Sequence, residues 1–215
     1  MDFKLVIFDF DGTLADTRKL IVICKQETMR ELGIRVLSEE ECASTIGLSA
    51  ATGFRQSYPD MSEEMIDKCV ALYRAKFEEK KLEIPPELFQ GITETLEFLK
   101  KKGVICTIAS ARNSKSLKGF LSLMDIEKYF PYVLGGDDTE LLKPHPEPVL
   151  KTLKDLDIRA EDTLVVGDMP YDVLMGKNAG TYACGVTYGN SSREELVSSG
   201  ADYVVDSMSD ILKLF

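Results

Sequence analysis

The amino-acid sequence predicts an α/β fold: a Rossmann-like parallel sheet with helices on both faces, plus an inserted all-α cap subdomain. Three observations carry that prediction. Short apolar runs ending on a polar residue recur along the chain, helical patterns lie between them, and one stretch of roughly 70 residues shows helices but no strand.

Leu5-Val6-Ile7-Phe8 is the first run and ends at Asp9. Val104-Ile105-Cys106-Thr107-Ile108-Ala109 ends at Ser110, and Thr163-Leu164-Val165-Val166-Gly167 ends at Asp168. Continuous apolar runs bounded by Gly or polar residues suit strands buried on both faces of a parallel sheet. Tyr132–Leu134, Tyr182–Val186 and Tyr203–Val205 are weaker strands of the same kind. Between them, Leu96 and Leu99 lead into Lys100–Lys102 and Gly103, a basic last turn with a Gly stop. Leu117, Phe120, Leu121 and Met124 form one apolar stripe; Val149, Leu150, Leu153 and Leu156 form another after Pro148. Open α/β sheets bind ligands at the carboxyl ends of their strands, where Asp9, Ser110 and Asp168 all fall.

The alternation breaks between Ala15 and Pro85. A first helix carries Leu20, Ile21, Cys24, Thr28 and Leu32 and stops at Gly33. Ser38 with Glu41 has the spacing of a capping box. Ser62 caps a long helix with Ile66, Cys69, Val70, Tyr73 and Phe77 along one face. Pro85-Pro86 suits a stiff connector and closes the stretch. The predicted organisation is a Rossmann-like core of residues 1–14 and 86–215 with a helical lobe, the cap subdomain, inserted over 15–85. There is no internal repeat and no low-complexity tract.

Composition narrows the function. The 215 residues include 36 acidic side chains, 26 basic ones and one His, a formal net charge of −10. Apolar residues make up 44%, enough to bury a core. The acidic balance argues against nucleic-acid binding, which draws on Lys and Arg, and gives no support to docking on an anionic membrane. A small anionic substrate stays open, because a bound cation reverses the local sign. No apolar run approaches the roughly 20 residues of a spanning helix. Met1-Asp2-Phe3-Lys4 does not begin a signal peptide. Five scattered cysteines without CxxC spacing argue against a disulfide framework or zinc site, and read as small buried hydrophobes in a reducing, cytoplasmic setting. A single His makes a Ser-His-Asp triad or a His-based metal site a poor fit.

Asp9-Phe10-Asp11-Gly12-Thr13 follows the first strand directly. Carboxylates at i and i+2 of an extended segment share a side, and Gly12 permits a sharp turn. Gly167-Asp168-Met169-Pro170-Tyr171-Asp172 follows another strand and again sets acids close together. Four carboxylates meeting at one point resist joint ionisation. A hard cation with oxygen ligands relieves that repulsion, and Mg²⁺ suits one or two carboxylates plus phosphate and water. Lys143, in Lys143-Pro144-His145-Pro146, supplies further positive charge. Acids, a cation, a lysine and a hydroxyl at strand ends suit phosphoryl transfer.

These residues resemble the haloacid dehalogenase superfamily, in particular its phosphoglycolate phosphatase-like members with a helical cap. Asp9-Phe10-Asp11-Gly12-Thr13, Ser110, Lys143-Pro144 and Gly167-Asp168 with Asp172 match four motifs in order, and the likeness covers nearly the whole chain. The resemblance implies that Asp9 is the nucleophile, ionised without a base and forming an aspartyl-phosphate. It implies that Asp11 is the general acid and then the base, with a pKa raised by its acidic neighbours and partial burial. Mg²⁺ is expected on the carboxylates of Asp9 and Asp168 and the backbone carbonyl of Asp11. Ser110 and Lys143 are expected to hold the phosphoryl oxygens, with N–H groups near Phe10 and Ala111. Asp172 is expected to position Lys143 or orient the metal's surroundings. Met169 stands where many relatives carry Ser or Thr, and Ala111-Arg112 replaces a common Asn-Lys or Ser-Lys pair; neither removes a group the chemistry requires.

Plainer roles stand beside these. Asp172 suits an N-cap for the helix holding Val173 and Leu174. His145 suits a structural or exposed position, Met29, Met65, Tyr73 and Phe77 suit core packing, and Glu39–Glu41 and Glu78–Lys81 suit solvated faces. Substrate choice is expected from the cap, with Gly47 in a loop near the site and Arg18 and Arg55 as anion-binding candidates. The leading function is Mg²⁺-dependent hydrolysis of a small phosphorylated metabolite such as phosphoglycolate, by a monomer or weak homodimer. The alternatives are a phosphomutase of the β-phosphoglucomutase type, a pyrophosphatase, and a non-catalytic binding module. Dehalogenation fits poorly because Asp11 supplies a second acid. Phosphonoacetaldehyde hydrolysis needs a cap amine, and Lys19, Lys25, Lys68 and Lys76 carry no marker that singles one out.

Overall fold

The computed structural model describes residues 3–215; Met1 and Asp2, the first positions of the predicted core, lie outside the described residues. In chain order the elements are β1 (Leu5–Phe8), β2 (Ala15–Asp16), α1 (Arg18–Glu31), α2 (Glu39–Ala43), α3 (Ala50–Ser57), α4 (Glu63–Lys80), β3 (Glu87–Leu88), α5 (Ile92–Lys101), β4 (Ile105–Ala109), α6 (Ser114–Leu123), β5 (Tyr132–Leu134), α7 (Glu147–Leu156), β6 (Thr163–Gly167), α8 (Pro170–Asn178), β7 (Tyr182–Val186), α9 (Arg193–Ser198) and β8 (Tyr203–Val205).

Six strands form one sheet in the order β5-β4-β1-β6-β7-β8, every pairing parallel. Parallel strands buried on both faces read as continuous apolar runs, which is why β1, β4 and β6 stand out in the sequence. The two-residue side-chain period of β1 feeds two cores. Val6 and Phe8 join Leu96 and Leu99 of α5 and Phe120 of α6 on one face. Leu5 and Ile7 join Val149 of α7 and Met175 of α8 on the other. Register sets the site: Phe8 pairs with Ile108 and with Val166, so β1, β4 and β6 end side by side.

Helices α1 to α4 lie between β1 and β4 and carry a cluster of their own, with Val22, Met29, Cys42, Phe54, Ile66 and Cys69. Ser38 and Glu41 close the expected capping box on α2, and Ser62 caps α4. Ile21, Cys24 and Phe77 instead join the core beneath, so the helical layer packs directly against the sheet domain. Two points differ from the sequence reading. Ala15–Asp16, inside the stretch read as strandless, is a strand paired antiparallel with Glu87–Leu88; two residues are too few for any periodicity. Leu150, placed on the α7 stripe, is 47% exposed, and Thr152 takes the buried position with its hydroxyl donating to the Pro148 carbonyl. The five cysteines are free and buried. No helix among the described residues is long and apolar enough to cross a membrane.

Candidate active site

Asp9 leaves the end of β1 with its N–H on the Val166 carbonyl at 2.8 Å, which ties it to β6. Its carboxylate is buried. Oδ1 accepts from Lys143 Nζ, while Oδ2 is buried without a hydrogen-bond partner. Burial pushes the Asp9 carboxyl well above its ordinary range; Lys143 opposes that shift, and Asp172, Asp168 and Asp11 add to it.

Asp168 ends β6 and is fully buried. Its Oδ1 accepts from the Thr13 hydroxyl at 3.0 Å, and its Oδ2 from the Asn190 backbone at 2.9 Å and side-chain amide at 2.8 Å. Burial, then the charge of Asp172, raises its pKa to about 7. The backbone at Gly12 comes so close that a Cβ there would overlap the Asp168 carboxylate, and Gly12 has φ +90°. Only glycine meets both demands.

Asp172 sits one turn into α8. Its Oδ2 accepts the Met169 N–H at 3.0 Å, and its Oδ1 accepts from Lys143 at 2.6 Å. The expected N-cap role is therefore corrected: Asp172 is the third helical residue, reaching back to the cap, and it anchors Lys143 as well. A Cβ at Gly167 would overlap Asp172, so the glycine admits this carboxylate beside the strand. Burial works against the charge of Lys143, but Asp172 and Asp9 hold its pKa above the ordinary lysine range.

Ligand oxygens of Asp9, Asp168 and Asp172 lie within 4.8 Å of one another. Asp172 is committed to Lys143 and Met169. The unpartnered Oδ2 of Asp9 and the crowding of buried carboxylates fit a hard cation. Three buried acids face one buried lysine, so a cation would offset the charge the acids carry when ionised.

Asp11 faces a different environment. It lines a cavity of about 560 Å³ between the helical layer and the strand ends, together with Ser110, Ala111 and Gly47. Thr17 donates to its Oδ1 at 2.7 Å. Arg112 forks onto both of its oxygens, at 3.0 and 2.5 Å. The guanidinium lies over Phe77 at 4.5 Å and Phe120 at 5.0 Å. In the sequence Arg112 is only a departure from a common Asn-Lys or Ser-Lys pair; in the fold it is the partner of Asp11. Ser110 closes β4 and accepts the Arg112 N–H at 3.2 Å on its hydroxyl.

The cap candidates separate. Gly47, at φ +89°, lines the cavity and its Cα faces Met169 of the core. Arg18 lines a second hollow of about 440 Å³ beside Met169 and Asn190, donating to Asn190 at 3.3 Å. Arg55 is spent on an exposed ion pair with Glu63 and lines neither hollow. His145 is exposed. Glu78 and Lys81, read as a solvated face, line the large cavity. Of the four candidate amines in the helical layer, Lys19 and Lys68 are exposed and Lys76 pairs with Glu31, while Lys25 is buried on the cavity wall.

A family model described as haloacid dehalogenase-like hydrolase matches residues 6–186. The pyrophosphatase PpaX of Bacillus mycoides (strain KBAB4) is 34% identical, covering 100% of this chain and 97% of the relative. The protein named probable phosphatase IndB of Dickeya dadantii (strain 3937) is 35% identical, covering 97% and 91%. Among solved structures, a predicted phosphatase from Clostridium acetobutylicum superposes with a TM-score of 0.90 at 27% identity, covering 100% of this chain and 98% of that one. A predicted phosphoglycolate phosphatase from Haemophilus somnus 129pt gives 0.90 at 25% identity, with the same coverage. The chain belongs to the haloacid dehalogenase-like hydrolase family and is an enzyme of that family, with phosphatases and pyrophosphatases among its relatives.

Proposed function

We propose that this enzyme is a Mg²⁺-dependent phosphatase that hydrolyses a small phosphomonoester through an aspartyl-phosphate on Asp9. The observation that carries the reading is Asp9 itself: one carboxylate oxygen is held by Lys143, and the other is buried and unpartnered at the strand end. The Asp9 carboxylate attacks phosphorus, and the bond from phosphorus to the ester oxygen breaks. Asp11 gives that oxygen its proton and the alcohol leaves. Water then attacks the phosphoryl group, Asp11 takes the water proton, and the bond from phosphorus to the Asp9 carboxylate breaks to release phosphate and restore Asp9. Lys143 and the Ser110 hydroxyl, with backbone N–H groups near Phe10 and Ala111, hold the phosphoryl oxygens. Mg²⁺, held by Asp9, Asp168 and the backbone carbonyl of Asp11, supplies positive charge against the phosphoryl group. Residues 15–85 act as a cap over the cavity, with Gly47 at its contact with the core. For Asp11 to act as acid, Arg112 must release it, because Asp11 now serves only as an acceptor, to Arg112 and Thr17.

Pyrophosphate is the second substrate this reading accommodates. It is supported by the pyrophosphatase named among the relatives and by cavity-lining cations in a chain of net charge −10. Phosphate release from a panel of small phosphate esters and pyrophosphate, with Mg²⁺ and with EDTA, tests the proposal. Release that stops with EDTA and in Asp9→Asn is expected. Release that survives in Asp9→Asn overturns the nucleophile, and isomerisation of a sugar phosphate without net release moves the enzyme to the mutases.

A further inference from the structure

Lys25 is a buried cation that the chemistry proposed above does not use. It lies on α1, is 6% exposed, and lines the same cavity as Asp11 and Ser110. Its Nζ donates to the Cys42 carbonyl at 2.8 Å and to the Thr45 hydroxyl at 2.6 Å. Both acceptors are neutral, and an ammonium has three N–H donors. The other cations that line the cavity differ: Arg112 is forked onto Asp11, Lys81 is paired with Glu78 at 2.5 Å, and Arg74 and Lys115 are exposed to water. Among the described residues no carboxylate pairs with Lys25, and the one titratable group that acts on it is the Cys42 thiol, itself pushed up by burial. An ammonium taken from water without a counter-charge is held at a cost, and an apolar side chain would fill the same space without it.

We propose that Lys25 determines substrate specificity: its Nζ receives an anionic group, a carboxylate or a second phosphate, at the far end of the ester's leaving portion. This rests on the phosphatase reading above. The reacting phosphoryl group lies at the strand ends, Lys25 stands on the cap side of the same cavity, and Ile21, Ile46 and Tyr73 line apolar wall. The substrate class is a phosphomonoester whose alcohol carries a short apolar link to a second anion. Thr45 and the Cys42 carbonyl aim the ammonium; the anion supplies the missing charge.

The test compares unsubstituted alkyl phosphates with ω-carboxyalkyl phosphates and alkanediol bisphosphates of matching, increasing chain length. The readout is kcat/KM of each anionic ester divided by that of the neutral ester of equal length. The wild type is expected to prefer the anionic ester at one length, with the carboxylate and bisphosphate arms showing which anion is preferred. Lys25→Met is expected to lower that ratio about tenfold or more, mainly through KM, and Lys25→Arg to retain it. Because burial lowers the Lys25 pKa to about 8, the wild-type ratio should fall as pH rises through 8, and the Lys25→Arg ratio should stay level. Dividing by the neutral ester cancels titration of the reacting phosphate. A wild-type ratio flat in chain length and pH, or one unchanged in Lys25→Met, overturns the proposal. The wild-type pH series decides alone if Lys25→Met does not fold. Failure to hydrolyse any ester of the series, with or without the second anion, overturns the phosphatase reading itself.

Discussion

Arg112 places two guanidinium nitrogens on the two carboxylate oxygens of Asp11, and the same guanidinium lies against Phe77, a residue of α4 in the helical layer. The second acid of the Asp9-x-Asp11 motif is thus held by a core loop residue whose packing is shared with the insertion. Both partners are nearly enclosed, with side chains 8% and 10% exposed. Breaking one side of such a pair leaves the other charge uncompensated, a loss of about 3 kcal/mol or more, while removing both charges costs much less. Arg112→Met should therefore be markedly destabilised, and Asp11→Asn with Arg112→Met should recover much of the loss. Urea unfolding of the four proteins in the cycle gives the coupling, expected at about 2 kcal/mol. Additive single-variant losses would show that the fork contributes no specific pairing.

Asp9→Asn should separate activity from stability. With Asp9 as the proposed nucleophile, its loss is expected to cost about 10³-fold or more in turnover. The Asp9 carboxyl titrates high because burial opposes its charge, so at neutral pH the ionised group works against the fold. The amide removes that opposition, and Lys143 keeps Asp172. Calorimetry should give a Tm equal to or above the wild type while phosphate release disappears. A clear drop in Tm would mean that the Asp9–Lys143 pair holds the fold together.

The strands and three of the candidate-site positions are legible in the sequence for one physical reason. Buried parallel strands are apolar throughout, so the polar residue that ends each run, Asp9, Ser110 or Asp168, marks the carboxyl edge of the sheet. Other features leave no such trace. Asn190 reaches Asp168 from the loop after β7, and nothing in its local sequence distinguishes it from any loop amide. The Ala15–Asp16 strand is shorter than any periodic signal. Arg112 and Arg55 are both plain arginines in sequence; only the packing of α4 and α6 makes one part of the site and leaves the other on a surface ion pair. Lys25 is likewise identical to Lys19 and Lys68 until α1 is set against the loop at Thr45.

The carboxylates at the strand ends should make metal-free stability fall as pH rises. Asp168 has a folded pKa of about 7 against an ordinary 3.8, so between those values the native state keeps a proton that the unfolded chain has lost. The Asp168 contribution to stability then decreases from about pH 4 to about pH 7 and levels off above, by an amount on the order of a few kcal/mol. Mg²⁺ competes with that proton, so its stabilising effect should be larger at pH 8 than at pH 5. Thermal melts in EDTA and in Mg²⁺ across this range check both statements. Asp168→Asn should flatten the slope and remove the Mg²⁺ shift; a Mg²⁺ shift that persists in this variant would place the ion elsewhere.

Lys25 should show the opposite slope. Its folded pKa of about 8 lies below the ordinary 10.5, so between the two the unfolded chain binds a proton the native state does not. Its contribution to stability therefore rises with pH from about 8 to about 10.5, by about 3 kcal/mol at most. The stability difference between wild type and Lys25→Met isolates this group from the tyrosines and other lysines that titrate nearby. Denaturant unfolding at intervals of pH should show the difference climbing over that window. A constant difference would mean that Lys25 carries the same charge state folded and unfolded.

Gly47 joins the helical layer to the core at Met169, and the backbone there constrains substitution more than the neighbouring side chain does. With φ at +89°, any L side chain at this position is strained, by about 1–2 kcal/mol. An added Cβ would also stand 3.3 Å from Met169 Cγ, a contact a flexible thioether can yield to. Gly47→Ala should therefore lower stability by about that strain, and Met169→Ala on the same background should restore little of it. The sequence alone suggests that a bulky residue at Gly47 damages substrate use more than stability; the left-handed backbone predicts a loss of both. Unfolding free energies of the two single variants and the double variant, read beside KM, decide between them. Recovery of stability on shortening Met169 would show that crowding, and not backbone conformation, requires the glycine.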